Sequence, residues 1–320
     1  MRTIGAFFRL VRWPNLCFIL LTQVLFYYCV FRHLLADGSD TDFYFSGDRI
    51  FLFYILCAAS VLIAAGGYVI NDYFDLKIDS VNKPNRVVVD RIVKRRWAIL
   101  WHLLFSLLGV ALSFYISWKT GNYIIGIGNI VCVFLLWVYS TTFKKKVLLG
   151  NIIIAALTAW VIVVIYFFTG ARPVHFEGWD NAGYPFNIRK FFKITLVYAG
   201  FAFILSVVRE VVKDMEDVIG DARYNCRTMP IAWGMPAAKV FVAVWMAVLI
   251  AAVSIAAFYA FQSGWRWGAL YVFALILVPM LRFLLNLKKA FTAEHFHQLS
   301  KLVKLIMLTG ILSMFFFLTI

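Results

Sequence analysis

Apolar stretches of about twenty residues alternate along the chain with shorter polar segments. Nine such stretches recur, at about 14–33, 49–70, 97–117, 122–141, 147–169, 191–212, 237–261, 267–286 and 302–320. A helix rises 1.5 Å per residue, so about twenty apolar residues cross the roughly 30 Å hydrocarbon core of a bilayer. The pattern predicts an all-α, multi-pass membrane protein with nine transmembrane helices. No large soluble domain fits between the spans, so residues 1–320 read as one transmembrane domain. Ahead of the first span, Arg2, Arg9 and Arg12 interleave with Phe7, Phe8, Leu10, Val11 and Trp13. This reads as an amphipathic lead-in lying along the interface, not as a cleaved leader, with Pro14 opening the span.

Composition agrees. Hydrophobic residues make up 63% of the chain, charged residues 15%, and the mean hydropathy is +0.84, too apolar for soluble domains of this length. The 32 Phe side chains are expected to pack between helices or line a greasy cavity. Of the cysteines at 17, 29, 57, 132 and 226, four fall in predicted spans and none forms a CxxC pair, so no disulfide framework is implied. With the N-terminus cytoplasmic, 23 of the 31 Lys and Arg residues fall on the inner side. That asymmetry predicts a cytoplasmic N-terminus and an outer C-terminus. The acidic first outer loop (Asp37, Asp40, Asp42, Asp48) agrees, whereas Arg172, Arg189, Lys190 and Lys193 run against it. Topology and attraction to anionic lipid headgroups account for the net charge of +15, so membrane lipids are expected partners and nucleic acid is not.

One polar pattern occurs twice. Asp72, Asp75 and Asp79 are spaced by three and then four residues, and Asp214, Asp217 and Asp221 repeat that spacing 142 positions later. On a helix, offsets of three and seven share a face. The motifs fall at the cytoplasmic ends of the second and sixth spans, on one side of the membrane, as a parallel repeat would. Polar loops at about 73–96 and 213–236 are expected to follow them. Charges at span ends commonly just meet headgroup water. Six carboxylates buried unpaired would cost on the order of 15–20 kcal/mol, so they border water, bind cations, or both. Gathered together they repel one another, and hard oxygen ligands beside phosphates suit Mg²⁺. Asn71 adds a neutral oxygen, while Lys83 and Arg86 offer cations for phosphate oxygens. Arg209 and Lys213, four apart ahead of the second motif, suit a second phosphate, unless Arg209 pairs with Glu210 or Glu216 and only holds the helix end. His295 and His297 form an HxH in a predicted cytoplasmic loop, with nothing nearby to complete a metal set.

Together these residues resemble the UbiA superfamily of intramembrane prenyltransferases. Asn71, Asp72, Asp75 and Asp79 match its NDxxDxxxD motif, and Asp214, Asp217 and Asp221 match its second acidic element. Tyr139-Ser140 followed by Lys144-Lys145 is similar to its YSxxLKR stretch, with Phe143 at the Leu place and Lys145 at the Arg place. The resemblance implies a nine-helix bundle with a central cavity, in a cell (inner) membrane. It implies two Mg²⁺ ions on Asn71, Asp72, Asp75, Asp79, Asp214, Asp217 and Asp221. It makes Asp72, Asp75, Asp214, Asp217 and Tyr139 the catalytic set. Substrate would be held by Asn71, Lys83, Arg86, Tyr139, Lys144, Lys145, Arg209 and Lys213. Tyr139 would face the allylic cation with its ring, or hydrogen-bond a motif residue with its phenol. The donor implied is an allylic prenyl diphosphate, geranylgeranyl diphosphate in length, and the acceptor is lipophilic. The string from Arg209 to Asp221, with Arg227-Thr228-Met229-Pro230 after it, resembles the branch whose acceptor is geranylgeranylglyceryl phosphate. Aromatic acceptors of quinone, tocopherol or chlorophyll type share the metal motifs. A terpene cyclase of the same superfamily and a cation-coupled transporter are the other readings of intramembrane carboxylates. Oligomeric state stays open.

Overall fold

The computed structural model describes residues 2–35, 44–82, 84, 88–90, 92–170 and 187–319. Asp37, Asp40, Asp42, Arg172, Lys83 and Arg86, all named above, lie outside the described residues. Among those residues nine helices are long and apolar enough to cross a membrane. They are α1 (Trp13–Leu35), α2 (Gly47–Asn82), α3 (Arg95–Thr120), α4 (Ile124–Thr141), α5 (Leu149–Phe168), α6 (Ile188–Glu216), α7 (Met235–Gln262), α8 (Arg266–Lys289) and α9 (Ala293–Leu318). Each holds one of the nine apolar runs. The lead-in is a separate helix, Arg2–Leu10, and Pro14 sits in the first turn of α1, where its missing N–H costs nothing. All five cysteines are free thiols.

Two boundaries differ from the hydropathy pattern. The segment from Tyr73 is not a loop: α2 runs 36 residues, through Asp79 to Asn82. Hydropathy falls there because the side chains are charged, yet the helix continues, with Asn71 bonded to Asp75 across one turn and no proline between Tyr73 and Pro84. At the other end, α9 begins at Ala293, nine residues before its apolar run. The Thr292 hydroxyl accepts the His295 N–H at 3.3 Å, and Phe296, Leu299, Ser300 and Val303 form a buried stripe at helical spacing. His295 and His297 therefore stand on a helix and not in a loop.

The chain forms two compact units: Met1–Thr141 with Trp160–Ala199, and Thr142–Ala159 with Gly200–Ile320. In the first, aromatic rings fill the space between helices. Tyr27 stacks on Phe53 with centroids 4.1 Å apart, its hydroxyl donates to the Tyr44 carbonyl at 2.7 Å, and Phe31 packs on Phe191 at 5.1 Å. A buried polar chain ties α3, α4 and α5. Trp160 Nε1 donates to Asn129 Oδ1 at 2.8 Å, Asn129 Nδ2 to Ser113 Oγ at 2.7 Å, and Ser113 Oγ to the Gly109 carbonyl at 2.7 Å. These side chains thereby find partners within apolar spans, as the absence of water there favours. Glycines let these helices approach. A Cβ at Gly109 would press on Ile63 of α2, and one at Gly128 would overlap the Trp160 ring. Trp160 cannot swing away without giving up its bond to Asn129. Gly128→Val is therefore expected to destabilise the protein by roughly 1–3 kcal/mol. Gly200→Ala, whose Cβ would meet nothing within 4 Å among the described residues, is expected to melt like wild type. Thermal unfolding in detergent compares the two, and equal melting temperatures would remove this account.

In the second unit Leu205, Val208 and Val212 of α6 pack with Met246 of α7, Phe283 of α8 and Val303 of α9. This layer holds the C-terminal end of α6 against the first turns of α9.

Candidate active site

The first motif sits on the polar end of α2. Within an unbroken helix Asp72, Asp75 and Asp79 do share a face. Asp75 is buried and accepts a hydrogen bond from Asn71 Nδ2 at 2.8 Å, one turn earlier. Asn71 Oδ1 is also buried and meets no donor among the described residues. A buried amide oxygen left unsatisfied costs about 1–3 kcal/mol, and here it lies beside carboxylates.

Asp72 has a partner that the sequence did not suggest. Arg12, at the start of α1, places Nη2 2.7 Å from Asp72 Oδ1. Its guanidinium also lies 5.2 Å from the centroid of the Tyr68 ring, one turn before Asp72. Arg12 reaches this position with φ 51° and ψ 51°, a left-handed conformation that costs a non-glycine residue roughly 1–2 kcal/mol. Burial works against its charge, but Asp72, aided by Asp79, outweighs burial and holds its pKa above the ordinary value. No motif spacing marks Arg12; the only signal was an arginine directly before a span-opening Trp-Pro.

An apolar groove of about 620 Å³ runs beside this end of α2, lined by Ile70, Tyr73, Phe74, His102, Phe134 and Trp137 among others. At 100° per residue, Ile70, Tyr73 and Phe74 fall on the side of α2 opposite the three aspartates. The groove is therefore not the chamber that the carboxylates face.

The second motif is built differently. Here α6 stops at Glu216, Asp217 has non-helical angles (φ −95°, ψ 7°), and a short helix, Val218–Arg223, follows. The single continuous face expected from the spacing is thus broken at Asp217. Asp214 stays on α6 and accepts from Asn151 Nδ2 of α5 at 2.7 Å. Asp221 is buried in the short helix, and its carbonyl accepts the Cys226 N–H at 2.9 Å. Asn151, like Arg12, is a contact that only the fold brings in. Glu216 is paired with His297 Nδ1 at 3.0 Å, which accounts for half of the HxH.

Arg209 and Lys213 both turn to Glu210. Arg209 Nη1 lies 3.1 Å from Glu210 Oε1, and Lys213 Nζ lies 2.8 Å from Oε2. Two cations share one carboxylate, so the trio keeps a positive charge. Lys304 of α9 lies within electrostatic range of Arg209. Arg209 Nε is buried with no acceptor among the described residues. Lys144 and Lys145 occupy the turn Phe143–Lys145 before α5, and the Lys145 carbonyl accepts the Arg227 N–H at 2.8 Å. That bond ties the lysine turn to the segment following the second motif. Tyr139 lies half-buried in the last turns of α4.

The donor set around each motif is oxygen only, as hard cations prefer. Among the described residues no three carboxylates, imidazoles or thiols converge into a ready metal cage. The oxygens stand spaced along the helix, and the unsatisfied Asn71 oxygen among them fits a Mg²⁺ ion or its bound water.

Comparison with known proteins places the chain in a family. The model of the UbiA prenyltransferase family matches residues 19–305. The chain is 32% identical over 228 residues to the digeranylgeranylglyceryl phosphate synthase of Methanospirillum hungatei, covering 71% of this chain and 70% of that protein. It is 31% identical over 181 residues to the synthase of the same name from Methanosphaera stadtmanae, covering 56% of this chain and 57% of that protein. The match thus spans a little over half the length of the latter relative. Among solved structures, a UbiA homolog from Aeropyrum pernix K1 shares the fold with TM-score 0.64 at 14% identity, over 94% of this chain and 98% of that one. A UbiA homolog from Archaeoglobus fulgidus, bound to DMAPP and Mg²⁺, does so with TM-score 0.56 at 16% identity, over 96% and 98%. The nine membrane-spanning helices, the twofold acidic pattern and the family match lead to one conclusion: this multi-pass membrane protein belongs to the UbiA prenyltransferase family.

Proposed function

We propose that the protein transfers a geranylgeranyl group from geranylgeranyl diphosphate to geranylgeranylglyceryl phosphate, forming an ether lipid in a Mg²⁺-dependent reaction. The observation that carries this reading is the repeated acidic motif in a chain whose relatives are named digeranylgeranylglyceryl phosphate synthases. The acceptor hydroxyl oxygen bonds to C1 of the donor, the C1–O bond breaks, and diphosphate leaves with the bonding pair. The hydroxyl proton passes to water or to a carboxylate. Asn71, Asp72, Asp75 and Asp79, with Asp214, Asp217 and Asp221, would hold two Mg²⁺ ions, which when bound neutralise the leaving diphosphate.

The chain's own residues do the rest. Asn71 holds Asp75, and Asn151 holds Asp214, each by a donated hydrogen bond that fixes which oxygens face outward. Arg12 keeps Asp72 in place. Lys83, Arg86, Lys144 and Lys145 are the cations for the diphosphate oxygens. Tyr139 presents its ring to the developing allylic cation. Both units act as one catalytic domain, because the family match runs through both. The distribution of basic residues supports a cytoplasmic N-terminus and cytoplasmic motifs.

The unpartnered Arg209 Nε, beside a net positive cluster, favours a phosphate-bearing acceptor over an aromatic one. Purified protein given geranylgeranyl diphosphate is expected to form the ether with geranylgeranylglyceryl phosphate and no product with an aromatic acid. Arg209→Ala is expected to raise the acceptor's KM more than the donor's. Mass analysis of the lipid extract reads the first expectation and steady-state kinetics the second. A prenylated aromatic product, or a donor-only rise in KM, would replace this acceptor. Diphosphate release without any acceptor would point to a cyclase.

A further inference from the structure

On the second unit, a groove of about 570 Å³ lies between α8 and α9. Arg282, Asn286 and Lys289 line one wall, at helical spacing on α8. His295, Gln298 and Lys301 line the other, on α9. The floor is Leu299, Leu302 and Leu305, a stripe that leads from the polar hairpin toward the middle of the span. The His297–Glu216 contact puts the hairpin on the same membrane side as the end of α6.

The lining is built for an anion. Among the described lining residues three are cationic and none is a carboxylate. Arg282, Lys289 and Lys301 make no ion pair with any described residue. Glu294 reaches the rim only, where Gln298 Nε2 approaches it at 3.5 Å. His295 Nδ1 accepts the Phe291 N–H at 3.3 Å, which leaves Nε2–H as a donor toward the groove. Arginine and lysine together suit phosphate oxygens, the first as a fork and the second as a point charge. An anion alone would need no leucine stripe. A phosphate carrying an acyl chain would use both features, with its headgroup at Lys289 and Lys301 and its chain along Leu302 and Leu305. Basic pockets between transmembrane helices bind lipid headgroups on this physical basis.

We propose that the α8–α9 groove is a binding site for an anionic membrane phospholipid, separate from the residues assigned to catalysis. The test is native mass spectrometry of the protein extracted from vesicles of equal phosphatidylglycerol and phosphatidylcholine. Wild-type protein is expected to retain phosphatidylglycerol in preference. The Arg282→Gln/Lys301→Gln double variant is expected to lose affinity for it by roughly 20- to 30-fold. Lys288→Gln, a charge on the same hairpin but outside the groove, is expected to leave retention unchanged. Equal retention of the two lipids by wild type would overturn the proposal without recourse to any variant. So would a Lys288→Gln loss as large as that of the double variant, which would mean a diffuse surface charge. Displacement of phosphatidylglycerol by millimolar inorganic phosphate would overturn it too, by showing a site for the free anion.

Discussion

Asp75→Asn and Asp217→Asn are each expected to lower turnover by roughly 10²–10³-fold while leaving the protein folded, on the scale of a lost transition-state contact. At both positions asparagine removes charge at little cost in shape. Asp75 accepts from Asn71 Nδ2, and an asparagine oxygen at 75 can accept the same bond. Asp217 stands at the break between α6 and the next short helix, where its side chain makes no capping bond. Asparagine keeps the size and shape of both and removes one negative charge. Asp72→Asn would be a poorer choice, because it leaves the half-buried Arg12 guanidinium without its ion pair and mixes a stability loss into the rate. Initial rates, paired with a melting curve for each variant, separate the two effects. A double Asp75/Asp217 variant working at wild-type rate would dismiss the acidic motifs as the reaction site.

Stripping divalent metal should abolish product formation, and adding Mg²⁺ should restore it, with Mn²⁺ a workable substitute. The charge balance requires this. In the first motif Arg12 sets one positive charge against Asp72, Asn71 Nδ2 donates to Asp75, and Asn71 Oδ1 meets no donor among the described residues. A diphosphate brought to this face adds further negative charge. Lysines and arginines offset part of it, but two of the cations near the second motif are shared with Glu210. Without a hard cation the leaving group has too little neutralisation to depart. Rates measured in EDTA and after back-titration with Mg²⁺ decide the point, and undiminished turnover in EDTA would rule out a metal-dependent reaction.

The sequence was read correctly where one physical variable dominates. Bilayer insertion selects apolar runs, so all nine spans were visible as hydropathy, and carboxylates are rare enough in such a chain that their repeated spacing stood out. It misled where that variable changes hands. Past Ile70, hydropathy drops but helix formation does not, so a stretch expected to be loop continues as α2. The same reasoning hid the first turns of α9, whose buried stripe is interrupted by His295, His297 and Gln298. Equal spacing in the two motifs suggested equal geometry, yet the second helix breaks at Asp217. Arg12 and Asn151 were out of reach, since their partners lie 60 and 63 positions away and no local pattern announces the pairing. For Arg209 the pairing with Glu210 was one of two readings of the sequence; that of Lys213 was not foreseen. Both pair with Glu210, yet one nitrogen of Arg209 remains unsatisfied.

The length of α2 ties the chemistry to the thickness of the host membrane. Its 36 residues span about 54 Å, against a hydrocarbon layer of roughly 30 Å. The first motif thus rides on a rigid rod at a set height above the oil. A bilayer thicker by one helical turn, about 5 Å, would draw Asn71 and Asp72 down to the hydrocarbon edge. A thinner one would lift them into bulk water, away from a donor whose tail stays in the membrane. Lipid chain length in the surrounding membrane is therefore expected to act on this protein as a setting of depth.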